Sequence, residues 1–156
     1  MIKKHKIFTG ESDNFTIIGI VSRLVDYKLC FHINNALNIG LKRGSDISVM
    51  AVKTHEVQHF PLFRYYSEQY KNNWILIPNK NLNKDILLAD LQPIDYFFFI
   101  DEFPSLLDIK DLMRTFKNIP EVALVQQIKP QASKRIDHIL QDIEIYLLSQ
   151  NQKKEM

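Results

Sequence analysis

The chain contains a short motif, His55-Glu56-Val57-Gln58-His59, that matches the H-E-x-x-H pattern of zinc hydrolases. In that pattern a helix holds both histidines on one face, where they bind one zinc ion, and the glutamate activates the zinc-bound water. Here a strand-like run precedes the motif, and Pro61 comes two residues after the second histidine. These neighbours predict a solvated loop between strands. A metal-dependent hydrolase using this motif is therefore an alternative hypothesis, and we expect no metal ion.

Cysteine chemistry would have to use Cys30, the single cysteine of the chain, and His32 is the histidine nearest to it in sequence. A helix is expected here, and two positions along a helix turn the side chain by about 200°, so the two groups diverge. Cys30 falls on the apolar side of the helix, where it is expected to pack as a small buried hydrophobe. The pair therefore predicts no catalytic nucleophile.

Four acidic residues near the end of a long apolar run could bind magnesium, because substrates often bind at the ends of open sheets. They are Asp101, Glu102, Asp108 and Asp111. A simpler interpretation is that they complement the positive end of a helix dipole and solvate a strand-to-helix turn. The chain also has only four glycines, none of them in a phosphate-binding loop. The sequence thus predicts no catalytic residue and no cofactor, and it favours a protein that is not an enzyme.

Aromatic and basic residues interleave between positions 60 and 77, as they do in surfaces that stack single-stranded nucleic acid. They are Phe60, Phe63, Arg64, Tyr65, Tyr66, Tyr70, Lys71 and Trp74. An ordinary hairpin with cross-strand aromatic pairs has the same composition. The formal net charge of +2 is small and the charges are interspersed, whereas nucleic-acid binding usually requires a clustered basic stripe. Single-stranded nucleic-acid binding through this hairpin is a second alternative.

The composition predicts one globular domain covering residues 1–156. Hydrophobic residues make up 46% of the chain and charged residues 24%, which excludes global disorder. A single cysteine cannot form an internal disulfide, as is typical of a reduced, cytoplasmic protein. No signal peptide or membrane-spanning segment is expected, because Glu11, Asp13 and Asn14 interrupt the basic start before any long apolar run.

The spacing of apolar residues predicts an α+β domain. Strands are expected at 15–21, 47–52, 63–66, 74–77, 94–100 and 122–128. Helices are expected at 27–38, at 105–119 and from Ser133, with a brief helical turn after Asn83. Two to three helices should pack on a mostly antiparallel or mixed sheet that is ferredoxin-like in part, with 94–100 at its centre. The ends, 1–12 and 150–156, are expected to fray.

The segment Leu88-Ala89-Asp90-Leu91-Gln92-Pro93-Ile94-Asp95-Tyr96 resembles the signature that names the bacterial IPExxxVDY family. Asp95 and Tyr96 agree with that signature, and Ala89 replaces its proline. Conservative stand-ins occupy three further positions: Leu88, Asp90 and Ile94. Other similar stretches are 26–30, 34–37 and 119–121. The resemblance implies one small cytoplasmic domain, and it implies no particular activity, cofactor or catalytic residue.

The residues themselves predict a structural role for Asp95 and Tyr96. The aspartate lies at the start of a strand, where its carboxylate can accept hydrogen bonds from the backbone. The tyrosine is expected to pack its ring into the core and to keep its hydroxyl group hydrogen-bonded.

The first predicted helix carries Tyr27, Phe31, Asn34 and Asn38 on the face opposite its apolar stripe. Its expected N-cap is Asp26, and Gly40 is expected to stop it. Exposed aromatic residues four apart are costly in a monomer, whereas a two-fold partner could bury them and bind the neighbouring amides. The alternative is that another element, such as the C-terminal helix, covers this face. We favour a homodimer, and a non-enzymatic protein-interaction or self-association module with an unknown protein partner.

Overall fold

The computed structural model describes residues 15–51 and 53–155, and within them lie three α-helices and eight strands. The helices are α1 (Asp26–Leu37), α2 (Ile109–Lys117) and α3 (Ile136–Glu155). The strands are β1 (Phe15–Ser22), β2 (Lys42–Arg43), β3 (Ile47–Met50), β4 (Val57–Phe60), β5 (Phe63–Ser67), β6 (Asn72–Pro78), β7 (Tyr96–Asp101) and β8 (Val122–Ile128). Ala89–Leu91 and Pro130–Ala132 are short 3₁₀ helices. The predicted α+β class is confirmed.

The main sheet has six strands in the order β2-β5-β6-β7-β1-β8, and every neighbouring pair is antiparallel. β3 and β4 form a separate two-stranded hairpin. β7 lies between β6 and β1, as its apolar residues on both faces predict. Its three consecutive rings, Phe97, Phe98 and Phe99, are all fully buried.

Four strands and two helices have the β-α-β-β-α-β connectivity of a ferredoxin-like fold. Helix α1 follows β1 and precedes β6, helix α2 joins β7 to β8, and the four strands are ordered β6-β7-β1-β8. β1 and β6 are each antiparallel to β7, so they run parallel to one another, as a connection through a helix permits. β2, the β3–β4 hairpin and β5 are inserted between α1 and β6.

The elements form three layers with the sheet in the middle. On one face, α1 and α2 pack over residues such as Phe98, whose ring lies 5.0 Å from the ring of Phe116 and 6.0 Å from that of Trp74. On the other face, α3 and the β3–β4 hairpin pack over Phe97 and Phe99. Alternate residues of β7 therefore belong to two separate cores, because side chains along a strand alternate between the faces of its sheet.

Both ends of α1 differ slightly from the sequence prediction. Asp26 is the first helical residue, not the N-cap, and its carboxylate accepts a hydrogen bond from the Tyr27 N–H at 2.6 Å. The helix is closed by Asn38, at a left-handed φ of 56°, and not by Gly40. Asparagine tolerates this conformation, and its N–H donates to the carbonyl of Asn34.

Two predicted helix starts are wrong. The N-cap of α2 is Asp108, whose carboxylate accepts a hydrogen bond from the Lys110 N–H at 2.9 Å, so the helix begins well after Ser105. Leu106, expected on the buried side, is 88% exposed. The helical turn expected after Asn83 is not formed, and this stretch is instead a loop closed by a β-bridge between residues 80 and 86.

Helix α3 has the buried apolar face that the sequence predicts. Its buried residues include Ile136, Ile139, Leu140, Ile143 and Leu147. The helix continues to Glu155, through residues where fraying was expected from Gln150 onward. The fraying expected at residues 1–12 falls outside the described residues. No helix in the described ranges is both long and apolar enough to cross a lipid bilayer.

We predict that Phe98→Ala lowers the free energy of unfolding by about 3–5 kcal/mol, because it removes a fully buried ring between two aromatic neighbours and leaves a cavity. Urea unfolding followed by circular dichroism measures the change. The control is Leu106→Ala, which truncates an exposed apolar side chain and should shift the free energy by less than about 0.5 kcal/mol. Equal effects of the two substitutions would contradict the central position of β7.

Candidate functional site

The H-E-x-x-H motif does not lie on a helix. His55 occupies a turn with a left-handed φ of 59°, and Val57 to His59 belong to β4, which pairs with β3. The His59 ring nitrogen Nδ1 lies 3.1 Å from the Ser48 hydroxyl of the neighbouring strand. Across residues 15–51 and 53–155, no group of three or more His, Cys, Asp or Glu side chains is arranged to hold a metal ion. The helix that a zinc hydrolase of this type requires is therefore not formed.

Cys30 is buried beneath α1, as its position on the apolar stripe predicts. Its thiol Sγ lies 3.6 Å from the Leu41 carbonyl oxygen, to which it donates, and 3.8 Å from the Asn34 amide. Burial, followed by the negative charge of Asp26, raises the pKa of the thiol to about 11. Since the thiolate is the nucleophilic form, this raised pKa and the burial of Cys30 both disfavour reaction of the thiol at neutral pH.

Asp95 and Tyr96 have the structural roles that the sequence predicts, and their partners lie where β1 ends and the loop to α1 begins. The Asp95 carboxylate accepts a hydrogen bond from the Ser22 N–H at 2.8 Å. The Tyr96 hydroxyl donates to the Leu24 carbonyl at 2.5 Å, and burial raises the pKa of this phenol above its usual range. Asp95 thus binds the last residue of β1 and Tyr96 binds the loop that leads into α1, which agrees with the expected structural role.

The four acidic residues proposed for magnesium lie in two different places. Asp108 caps α2, and Asp111 forms an exposed ion pair with Arg114 on the same helix. Asp101 lies instead at the end of β7, where its carboxylate accepts hydrogen bonds from the backbone N–H of Asn73 at 2.7 Å and from its side chain at 3.1 Å. The fold therefore does not bring these residues together as one cation site.

A different carboxylate, Glu144 of α3, lies close to Asp101. Burial raises the pKa of Glu144, and the negative charge of Asp101 raises it further. Burial also raises the pKa of Asp101, although its hydrogen bonds from Asn73 favour the charged form. Glu102, next to Asp101, has a left-handed φ of 44°. Sequence reasoning missed this pair, because the two residues are far apart in the chain and meet only where α3 crosses the sheet.

Three aromatic residues of the predicted nucleic-acid hairpin line one cleft of about 490 Å³. Tyr65, Tyr70 and Trp74 line it together with residues at the C-terminal end of α1. Asp108 and Asp111 line the same cleft from α2. No Lys or Arg is among the described residues that line the cleft, which differs from the clustered basic surfaces typical of nucleic-acid binding.

The remaining aromatic residues of the hairpin do not extend this surface. Phe60 is buried in the core on the α3 side of the sheet, whereas Tyr66 is 43% exposed and does not line the cleft. Successive side chains on a strand point to opposite faces, which explains why a run of aromatic residues is divided in this way. The predicted stacking platform is therefore split between different surfaces.

The four residues predicted for self-association also divide into two pairs. Tyr27 and Phe31 are 65% and 60% exposed on α1, and we refer to these two side chains as the α1 aromatic surface. Helix α3 does not cover them, because it packs on the opposite face of the sheet. The side chain of Asn34 instead binds the backbone of Leu41, accepting from its N–H at 2.8 Å and donating to its carbonyl at 3.0 Å. Asn38 closes the helix.

A scan against protein-family models, a search of curated proteins and a search of solved structures each found no match. No residue role can therefore be carried over from another protein. The resemblance to the IPExxxVDY family stays a prediction that depends on residues 88–96. The α1 aromatic surface and the cleft beside α2 are the two candidate sites that the geometry itself provides.

We predict that Tyr96→Phe lowers the free energy of unfolding by about 1 kcal/mol, because it leaves the Leu24 carbonyl without its hydrogen-bond donor. Hydrogen exchange of the backbone amides between β1 and α1 should also become faster. Tyr66→Phe is the matched control, since Tyr66 is 43% exposed and removing its hydroxyl group should change the free energy of unfolding by less than about 0.5 kcal/mol. An unchanged exchange rate in Tyr96→Phe would contradict the fastening role.

We predict that Glu144→Gln stabilises the protein at pH 7. The folded-state pKa of Glu144 is raised, so its carboxylate destabilises the fold when ionised, and this destabilisation disappears when the pH falls below the folded and unfolded pKa values. The midpoint of thermal unfolding should therefore be higher in the variant at pH 7, and the difference should shrink toward pH 3. Asp137→Asn, on the same helix, is the control. A difference in midpoint between Glu144→Gln and the wild type that grows on acidification would contradict the raised pKa of Glu144.

Proposed function

We propose that this protein is a non-enzymatic protein-interaction module that self-associates through the α1 aromatic surface. The observation that carries the proposal is the exposure of Tyr27 and Phe31, two large rings four residues apart on one helix. No described element packs over them. Exposed aromatic pairs of this kind are typical of interface centres, where they bury a large area with little loss of side-chain entropy.

A second copy of the same helix is a suitable partner for this surface. In a two-fold contact each patch meets its own copy, so Tyr27 of one chain would pack beside Phe31 of the other. Fully burying one large apolar side chain contributes about 1.5–3 kcal/mol, so four rings contribute an amount comparable to the cost of association. The contact is therefore expected to be reversible and dependent on concentration.

The environments of the side chains that could take part in catalysis support a non-enzymatic role. Cys30 is buried and protonated at neutral pH. His55 and His59 lie on a turn and a strand, a setting that differs from the helix of zinc hydrolases. Asp95 and Tyr96 have structural partners. Each of these residues is thus explained without a reaction.

The same proposal includes a cytoplasmic location and membership of the IPExxxVDY family. The single thiol, buried and unpaired with any second cysteine, suits a reducing compartment. The structural roles of Asp95 and Tyr96, the two residues that agree outright with the family signature, suit a signature that preserves a fold. Besides a second copy of the chain, the proposed partner is another protein. A membrane and nucleic acid are not proposed as partners.

We predict that Phe31→Asp lowers the average mass in sedimentation equilibrium, because it places a charge in the proposed contact while leaving the core untouched. The thermal unfolding midpoint of the variant at low protein concentration should match that of the wild type. Ile145→Asp is the matched control, since Ile145 is an exposed apolar residue of α3, 64% accessible, on the opposite layer. A wild-type monomer at all concentrations, or an unchanged mass in Phe31→Asp, would contradict the proposal.

A further inference from the structure

The two edges of the main sheet are protected very differently. At one edge, β2 has only two residues, and both are charged and exposed, which is a common device against edge-to-edge pairing. At the other edge, β8 has seven residues with the sequence Val-Ala-Leu-Val-Gln-Gln-Ile and no charge or proline, and its pairing with β1 is regular from Leu124 to Ile128 and irregular between Val122 and Leu124. Among the described residues, β8 pairs with β1 alone, so its outer side has no strand neighbour.

An edge of this kind specifies the chemistry of its partner. The outward N–H and C=O groups of β8 can bind water in the free chain, and the extended backbone of another β-strand matches their spacing with donors and acceptors of its own. The side chains beside this backbone are apolar or uncharged: Leu124 is 45% exposed, Val125 is partly buried against α2, and Gln126 is exposed. β-branched and amide side chains of this type suit cross-strand packing.

We propose that β8 is a second self-association site, at which two copies of the chain pair their β8 strands antiparallel about a two-fold axis at Val125. This contact goes beyond the proposed role of α1, because it lies on a different edge of the molecule. In this register Val125 faces Val125 of the second copy, and Leu124 faces Gln126 of the second copy. The two main sheets then join into one continuous sheet.

The charges at the ends of β8 favour a second copy of the strand in the antiparallel direction. Glu121 precedes the strand and Lys129 follows it, both are exposed, and no ion pair in the described part of the chain involves either of them. Glu121 is a turn residue with a left-handed φ of 69°, and β8 is irregular between Val122 and Leu124, so the two charges lie at the strand ends and outside the regular ladder. An antiparallel pair brings the acidic start of each β8 near the basic end of the other. A parallel pair in equal register would instead place like charges opposite each other. The strand is therefore electrostatically self-complementary.

The test uses the full chain with Phe31→Asp, so that the α1 contact is removed and only β8 can associate. The Phe31→Asp protein should still form dimers in sedimentation equilibrium. Adding Glu121→Lys should weaken this dimer by about tenfold, because two opposite-charge pairs become like-charge pairs. Adding Lys129→Glu should weaken it to a similar degree. The protein with both reversals should regain the original affinity, since the pairs are again complementary.

The outcomes separate this inference from the proposed role of α1. A Phe31→Asp protein that is monomeric at all concentrations, or a double reversal that fails to restore the dimer, overturns the β8 contact, whatever the wild type does. Conversely, a wild type with the same mass as Phe31→Asp overturns the α1 contact, while rescue by the double reversal still supports the β8 contact. Circular dichroism of each variant confirms that it is folded.

Discussion

The side chain of Asn79, 2% exposed beyond the end of β6, fixes the segment on which the rest of the sheet depends. Its amide oxygen accepts from the Leu88 N–H at 2.8 Å, and its amide nitrogen donates to the carbonyls of Leu91 at 3.1 Å and Ile94 at 2.9 Å. A buried amide without these partners would cost several kcal/mol, so the loop must pass around it in one particular way. That path determines the residue at which β7 begins. A shift of one residue would exchange the two faces of β7 and move its phenylalanines into the wrong cores.

The correct start of β7 then positions the next part of the chain. Asp95 and Tyr96 directly follow the loop around Asn79. Their side chains bind Ser22 and Leu24, and these contacts hold the chain just before α1 begins. The orientation of the α1 aromatic surface relative to the sheet thus depends on the hydrogen bonds that Asp95 and Tyr96, at the start of β7, make to the chain just before α1. Asn34 completes this arrangement at the far end of α1 by binding both backbone polar groups of Leu41. The helix is held at its start and its end, which gives the exposed rings a rigid support.

Local patterns in the sequence predicted what depends on short-range spacing. The double-sided apolar run of β7 and the apolar stripe of α3 are confirmed, and so are the structural roles of Asp95 and Tyr96. Helix ends were less accurate, because Asp108 and Asn38 compete with neighbouring candidates that have the same local chemistry. The proximity of Asp101 and Glu144 was missed because these residues are distant in the chain, and the hydrogen bonds of Asn34 to Leu41 were missed because the first helix was expected to expose Asn34. The open side of β8 could not be predicted either, since the sequence indicates a strand but not its place in the sheet order.

The buried thiol beneath α1 makes this protein a suitable host for site-specific labelling. A maleimide or a similar reagent reacts with the accessible thiolate, and in the folded chain Cys30 offers neither exposure nor ionisation at neutral pH. A cysteine introduced elsewhere on the surface would therefore carry a fluorophore or spin label without background from the natural one. Any reaction of Cys30 with the reagent requires α1 to separate from the sheet, so the labelling rate of this thiol measures how often that layer opens.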